Sequence, residues 1–239
     1  MVKKIIVVVG SAGVLLACST PTQPPLLFER STLAASVRAT AAGLTTISVS
    51  GDVGSVEITG SSGDSVRANV SLSSRDEQRI TRTCLPNSRV DSTIANGVLN
   101  LRVRQSSRNR CGVRWKIEAP ARLGVIVRFD HGDINLKGMA GGADVVLSGT
   151  GKIRGSIEGG DVNTSVDVGD IDITSAQREY GIVDVRSDVG GIDVTVGGYR
   201  LPSRSRRGSG QELRVEGRGS GRFVSRTRVG KIKAAIGGS

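Results

Sequence analysis

One histidine and three cysteines in 239 residues leave little material for nucleophilic or metal chemistry. His131, between Asp130 and Gly132, has no second histidine to work with. Neither a Ser-His-Asp arrangement with a spare base nor a multi-histidine metal site can be assembled around it, so it reads as a turn residue. Asp130, Asp133, Asp161, Asp170, Asp172, Asp188 and Asp193 recur beside glycines. Stacked, such carboxylates form a ladder of the kind that binds calcium. The nine-residue Gly-Gly-x-Gly-x-Asp repeat of calcium β-rolls is absent, and aspartate in such places ordinarily shapes turns and faces water. A glycosidase would need two of these carboxylates ~5–10 Å apart beside a sugar platform, and Trp115, Tyr180 and Tyr199 are the only Trp and Tyr residues. The pairs Gly141-Gly142, Gly159-Gly160 and Gly190-Gly191 lack the Lys-Ser/Thr and helix of a phosphate loop and read as corners. No catalytic residue, metal or cofactor is expected.

The cysteines point to an address instead. Lys3 and Lys4 precede an apolar run from Ile5 to Ala17 that suits a signal peptide and is too short to span a bilayer. The run ends Leu15-Leu16-Ala17-Cys18, which resembles the lipobox of bacterial lipoproteins. That resemblance implies cleavage before Cys18, a diacylglycerol on its thiol and an acylated amino group, together a stable lipid anchor. Ser19 is not the aspartate associated with inner-membrane retention, so the family-level expectation is the outer membrane. Cys84 and Cys111 then remain, and an even pair in an exported chain reads as a disulfide, with two free buried thiols as the bland alternative. Closing a loop of that length is worth ~3.5 kcal/mol by chain entropy.

Charge is segregated along the chain. Residues 18–129 carry +7, residues 130–199 carry −7 and residues 200–239 carry +9. Arg200, Arg204, Arg206 and Arg207 form the densest cluster, followed by Arg214, Arg218, Arg222, Arg226 and Arg228. Such a field attracts anionic envelope polymers or lipid head groups. Nucleic acid is disfavoured, because only Phe223 interleaves with the arginines. The alternative is a basic end that faces the acidic middle within one molecule.

Short alternating stretches must position these groups. Ile47-Ser48-Val49, Val56-Glu57-Ile58 and Val98 to Val103 read as strands separated by Gly, Ser, Asn and Asp, and no long segment keeps a helical period. The second half repeats itself. Gly132-Asp133-Ile134 is echoed by Gly151-Lys152-Ile153, Gly169-Asp170-Ile171, Gly190-Gly191-Ile192 and Gly230-Lys231-Ile232, with Gly210-Gln211-Glu212-Leu213 as a degraded copy midway through the last gap. A glycine ahead of each strand suits a chain that turns sharply at fixed intervals, with Ile and Val stacked inward and charged residues facing water. This predicts an all-β fold, a β-solenoid (β-helix-like) of about 20-residue coils with two short strands per coil; the alternative is a β-sandwich with evenly spaced hairpins.

The stretch Ile117 to Val127 with its Pro120, followed by Asp130-His131-Gly132-Asp133-Ile134-Asn135-Leu136, resembles the bacterial putative-adhesin family. The resemblance covers roughly residues 44–239 and implies a β-solenoid head on an envelope protein. The chain departs from that pattern in its Arg-rich end and its cysteine-bearing loops. The organisation expected is a signal peptide over 1–17, a Pro/Ser/Thr-rich tether over 18–43 and a strand-repeat domain over 44–239. The function expected is a non-catalytic, lipid-anchored surface scaffold or adhesion-type binding module. The alternatives are a carbohydrate-active β-helix enzyme and an envelope-stress or sensory accessory.

Overall fold

The computed structural model describes residues 30–74, 76–106, 111–205 and 209–237. Alternation of apolar and polar residues makes most of the described residues strand. β1 (Arg30–Thr40), β2 (Thr46–Ser61) and β3 (Ser65–Ser74) are followed by a helical turn, Glu77–Arg79 and Ile80–Cys84. Then come β4 (Ser88–Ala95), β5 (Val98–Gln105), β6 (Gly112–Pro120), β7 (Gly124–Met139) and β8 (Ala143–Ile157). β9 (Val162–Val168), β10 (Ile171–Ser175), β11 (Tyr180–Val189), β12 (Ile192–Val196) and β13 (Tyr199–Leu201) continue the series. β14 (Arg204–Ser205), β15 (Gln211–Glu216), β16 (Gly221–Val229) and β17 (Ile232–Ile236) complete it. They join into one open, mixed, solenoid-like sheet of 17 strands. Residues 30–40, expected within the tether over 18–43, form a strand instead: Arg30–Thr40 pairs antiparallel with β3 and buries Ala35 and Val37.

Two parallel stacks organise the sheet. In the first, β5, the start of β2, and the starts of β7 and β8 lie in that order, continued by β9, β16 and β11. In the second, β6 is followed by the ends of β2, β7 and β8, then by β10, β17 and β12. The long strands β2, β7 and β8 therefore serve both stacks. Their inward residues line up in columns by register. Trp115, Val56, Ile134, Ile153, Ile171, Ile232 and Ile192 form one, and Leu99, Ile47, Val125, Ala143, Val162, Phe223 and Val183 another. Both columns are buried and belong to a single core cluster, so the two stacks share one interior.

The order of the rungs is not the order of the chain. β16–β17, last in sequence, lie between β9–β10 and β11–β12. The segment Gly210 to Leu213, expected as a degraded copy of the repeat, is not a rung: β15 runs antiparallel to β11. That accounts for the double-length gap between Gly190 and Gly230.

Glycine is required at the corners for a steric reason. A Cβ on Gly132 would overlap the carbonyl oxygen of Gly54, and Gly151, Gly169, Gly230 and Gly190 each repeat this against the glycine before it in the stack. Gly132 also sits at φ 138°, a region that side-chain-bearing residues rarely adopt. The aspartates after these glycines do more than face water. Asp133 Oδ1 accepts the Lys152 amide at 3.2 Å and Asp170 Oδ1 the Lys231 amide at 3.0 Å, each from the equivalent position one rung on.

Cys84 and Cys111 form a disulfide, S–S 2.09 Å, joining the helical turn to the segment that leads into β6. Both cysteines are buried in the core, with Ile80 packed into the same turn at zero exposure. Reduction should lower stability by ~3.5 kcal/mol, measured as the shift in urea-unfolding free energy between oxidised and reduced protein; no shift would mean the link only fastens a surface loop.

Candidate functional site

The side chains first singled out for chemistry do not converge. Among the described residues no three His, Cys, Asp or Glu side chains meet at a common point. His131 Nδ1 accepts the Thr150 amide at 3.1 Å, which ties one rung to the next. Asp161 Oδ1 accepts the Arg222 amide at 2.9 Å. Trp115 is fully buried among apolar residues and its indole nitrogen has no hydrogen-bond partner. Tyr180 is buried too, its hydroxyl 2.7 Å from Ser175 Oγ and its ring edge-on to Phe223 at 5.7 Å. Burial pushes the Tyr180 phenol above its ordinary range, against the pull of the Ser175 hydrogen bond. Among the described residues only Tyr199, 80% exposed on the β12–β13 hairpin, is left as an aromatic surface. No sugar platform beside a carboxylate pair exists among the described residues.

Cys18, Arg206 and Arg207 lie outside the described residues. The remaining arginines of the basic end do not form one patch. Intercalation of β16 carries Arg226 and Arg228 in between acidic neighbours of the middle region. Arg226 meets Asp184 at 3.4 Å. Arg228 meets Asp167 through both guanidinium and carboxylate atoms, one contact at 2.9 Å. The hydrogen bond from Arg228, followed by its charge, holds the Asp167 carboxyl below the usual aspartate range. Arg200 meets Asp193 at 3.0 Å on the β12–β13 hairpin, and Arg214 meets Glu216 at 3.8 Å. Arg204, Arg218 and Arg222 make no ion pair among the described residues and are exposed. The outer surface of the first stack is thus a lattice of alternating charges, extended by Arg128 on Asp144 and Arg186 on Asp188.

The second stack carries a group that the sequence did not single out. Arg114 and Lys116 on β6, and Lys152 and Arg154 on β8, point outward and flank Ser55 and Glu57 on β2 and Asp133 and Asn135 on β7. Glu57 is held by Lys137 at 2.7 Å. That hydrogen bond, with the charges of Lys137 and Lys116, brings the Glu57 carboxyl below its ordinary value. Their signal in the sequence was faint. Lys152 and Arg154 occupy the Gly-x-Ile-x positions where the copies at Gly132 and Gly169 carry Asp or Asn, and Arg114 and Lys116 alternate with buried Val113, Trp115 and Ile117.

Similar backbones occur in solved bacterial proteins. The crystal structure of a putative cell adhesion protein from Clostridium sporogenes superposes with a TM-score of 0.54 at 14% identity, covering 87% of this chain and all of that one. At that identity the likeness establishes the fold. Putative adhesins from Bacteroides fragilis and Parabacteroides distasonis align over 86% of this chain and 97% of theirs, each at 12% identity and a TM-score of 0.27. No protein-family model matches the chain, and no curated protein matches it in sequence. Among the described residues no helix is long and apolar enough to cross a membrane.

Proposed function

We propose that this chain is a non-catalytic cell-envelope lipoprotein whose folded head acts as a surface scaffold or adhesion-type binding module for anionic envelope polymers. The observation that carries the reading is the disposition of its chemistry. Ionisable side chains lie on broad outer sheet faces, while the interior shared by the two stacks is lined with Ile, Val and Leu. Catalysis wants a water-excluding pocket with converging groups, and a flat polar face wants a large partner. The fold shared with a cell adhesion protein supports the same direction. In this reading the head is a β-solenoid of about 20-residue coils rather than a sandwich, because parallel rungs with a common glycine phase are what a winding chain produces. Cys18 carries the lipid, and the chain is exported and held at the outer membrane.

The test is binding by the unlipidated chain from Cys18 onward. It should associate with anionic liposomes or an anionic polysaccharide at low salt and release at high salt, as an electrostatic contact does. Salt-independent binding, or none with every arginine and lysine intact, would remove the anionic partner. Hydrolysis or cleavage of the polysaccharide would favour the enzyme alternative.

A further inference from the structure

The outer face of the second stack holds a groove of about 330 Å³ across β6, β2, β7 and β8. Register sets its chemistry. One row runs Arg114, Ser55, Asp133, Lys152 and the next runs Lys116, Glu57, Asn135, Arg154. Cations therefore stand on the two outer strands, three strand spacings or ~14 Å apart, with rows ~7 Å apart along the strand. Between them lie a hydroxyl, an amide and two carboxylates. Lys152 and Arg154 make no ion pair among the described residues, unlike Arg226 and Arg228 on the other stack. Glu57 turns to Lys137, on the row beyond the groove, and Asp133 already caps the Lys152 amide.

We infer that this groove binds an acidic polysaccharide, a hydroxyl-rich chain with anionic groups spaced apart, held by cationic walls over an acceptor floor. The walls pair with carboxylate or sulfate groups of the sugar. The floor accepts sugar hydroxyl protons at Glu57, Asp133 and Asn135 and exchanges hydrogen bonds with Ser55. A continuous phosphate chain would press charge against Glu57 and Asp133, so the floor selects against polyphosphate and nucleic acid. With no exposed aromatic in the groove, each contact is weak, and repeated epitopes along one polymer supply the avidity. The inference rests on the anionic-polymer reading and moves its contact from the Arg200–Arg228 group to residues 114–116 and 152–154.

The experiment uses alginate as the acidic polysaccharide, with dextran as the neutral chain and polyphosphate as the dense anion, each titrated calorimetrically at low salt into the unlipidated chain. Alginate should bind, and dextran and polyphosphate should bind about tenfold more weakly or worse. The variant Lys116→Gln/Lys152→Gln/Arg154→Gln should lose about tenfold in alginate affinity, while Arg226→Gln/Arg228→Gln should stay within about twofold of the parent. These side chains point outward, so thermal unfolding is expected to stay near the parent's; if the triple variant does not fold, Arg154→Gln alone carries the test with a smaller loss. Binding lost in the arginine variant and kept in the groove variant overturns the groove and leaves the anionic-polymer reading standing. Tighter binding to polyphosphate than to alginate overturns the ligand class. No binding of either polyanion by the parent overturns both readings.

Discussion

Gly132→Ala is expected to cost about 3 kcal/mol or more of folding stability, whereas Gly191→Ala should be neutral or slightly stabilising. At Gly132 an added methyl would overlap the Gly54 carbonyl, and the backbone sits at φ 138°. The obstacle is backbone rather than a flexible side chain, so relief requires separating two rungs and the parallel hydrogen bonds between β2 and β7. Gly191 belongs to one of the glycine pairs yet meets nothing within 4 Å. There the methyl chiefly restricts the unfolded chain. Urea-unfolding midpoints of the two variants measure the contrast. Equal effects at both sites would show that the glycines serve flexibility and not close stacking.

Phe223→Ala should destabilise by about 3–5 kcal/mol. Phe223 is fully buried, stands in register between Val162 and Val183 and packs edge-on against Tyr180. Its rung is the intercalated one. Beside it Thr164 Oγ1 and Ser225 Oγ bond at 3.0 Å, Thr227 Oγ1 donates to the Gly169 carbonyl at 3.2 Å and Ser187 Oγ to the Gly230 carbonyl at 3.0 Å. A cavity here cannot be refilled by sliding β16, because a shift of register would strand those buried hydroxyls. The loss should appear both in the unfolding free energy and in the near-ultraviolet dichroism of Tyr180. A cost below about 1 kcal/mol would place Phe223 at a surface rather than inside the stack.

How much of this was legible follows from the range of the forces involved. The corner glycines recur because each meets the next within van der Waals distance, and a demand that strict leaves a mark on the sequence. The alternation of Ile and Val with charge was legible for the same reason, since one face of each strand is dry. The disulfide followed from an even cysteine count in a chain read as exported. Stacking order was not legible. Every copy presents a similar apolar column, so nothing local says that Ile232 adjoins Ile171 and Ile192 instead of following Ile192. The matching hydroxyls of Thr164 with Ser225, and of Ser187 with Thr227, become a signal only when the order is known. Residues 30–40 were read as tether because Ala35, Val37 and Ala39 alternate within Ser and Thr, a weak apolar period that pairing with β3 completes. The pairing of part of the basic end was not legible either, since intercalation sets Arg226 and Arg228 against Asp184 and Asp167, 42 and 61 residues away in sequence. The groove was hidden because residues 114–116 and 152–154 meet only through register across four strands.

The claim on which the rest depends is that the last coil is inserted beside β9 within one shared interior. Disulfide trapping tests it most directly. With Cys18 replaced by serine, Thr164→Cys/Ser225→Cys puts two thiols where hydroxyls 61 residues apart now touch at 3.0 Å. Adjacent strands also lie at ~4.8 Å, within the span a disulfide bridges. Mild oxidation should join the two peptides in high yield, read by mass spectrometry of the digest, while Thr164→Cys/Val185→Cys stays reduced because β16 separates β9 from β11. The reverse result, a bond from residue 164 to 185 and none to 225, would mean that the rungs stack in chain order and would contradict the fold described.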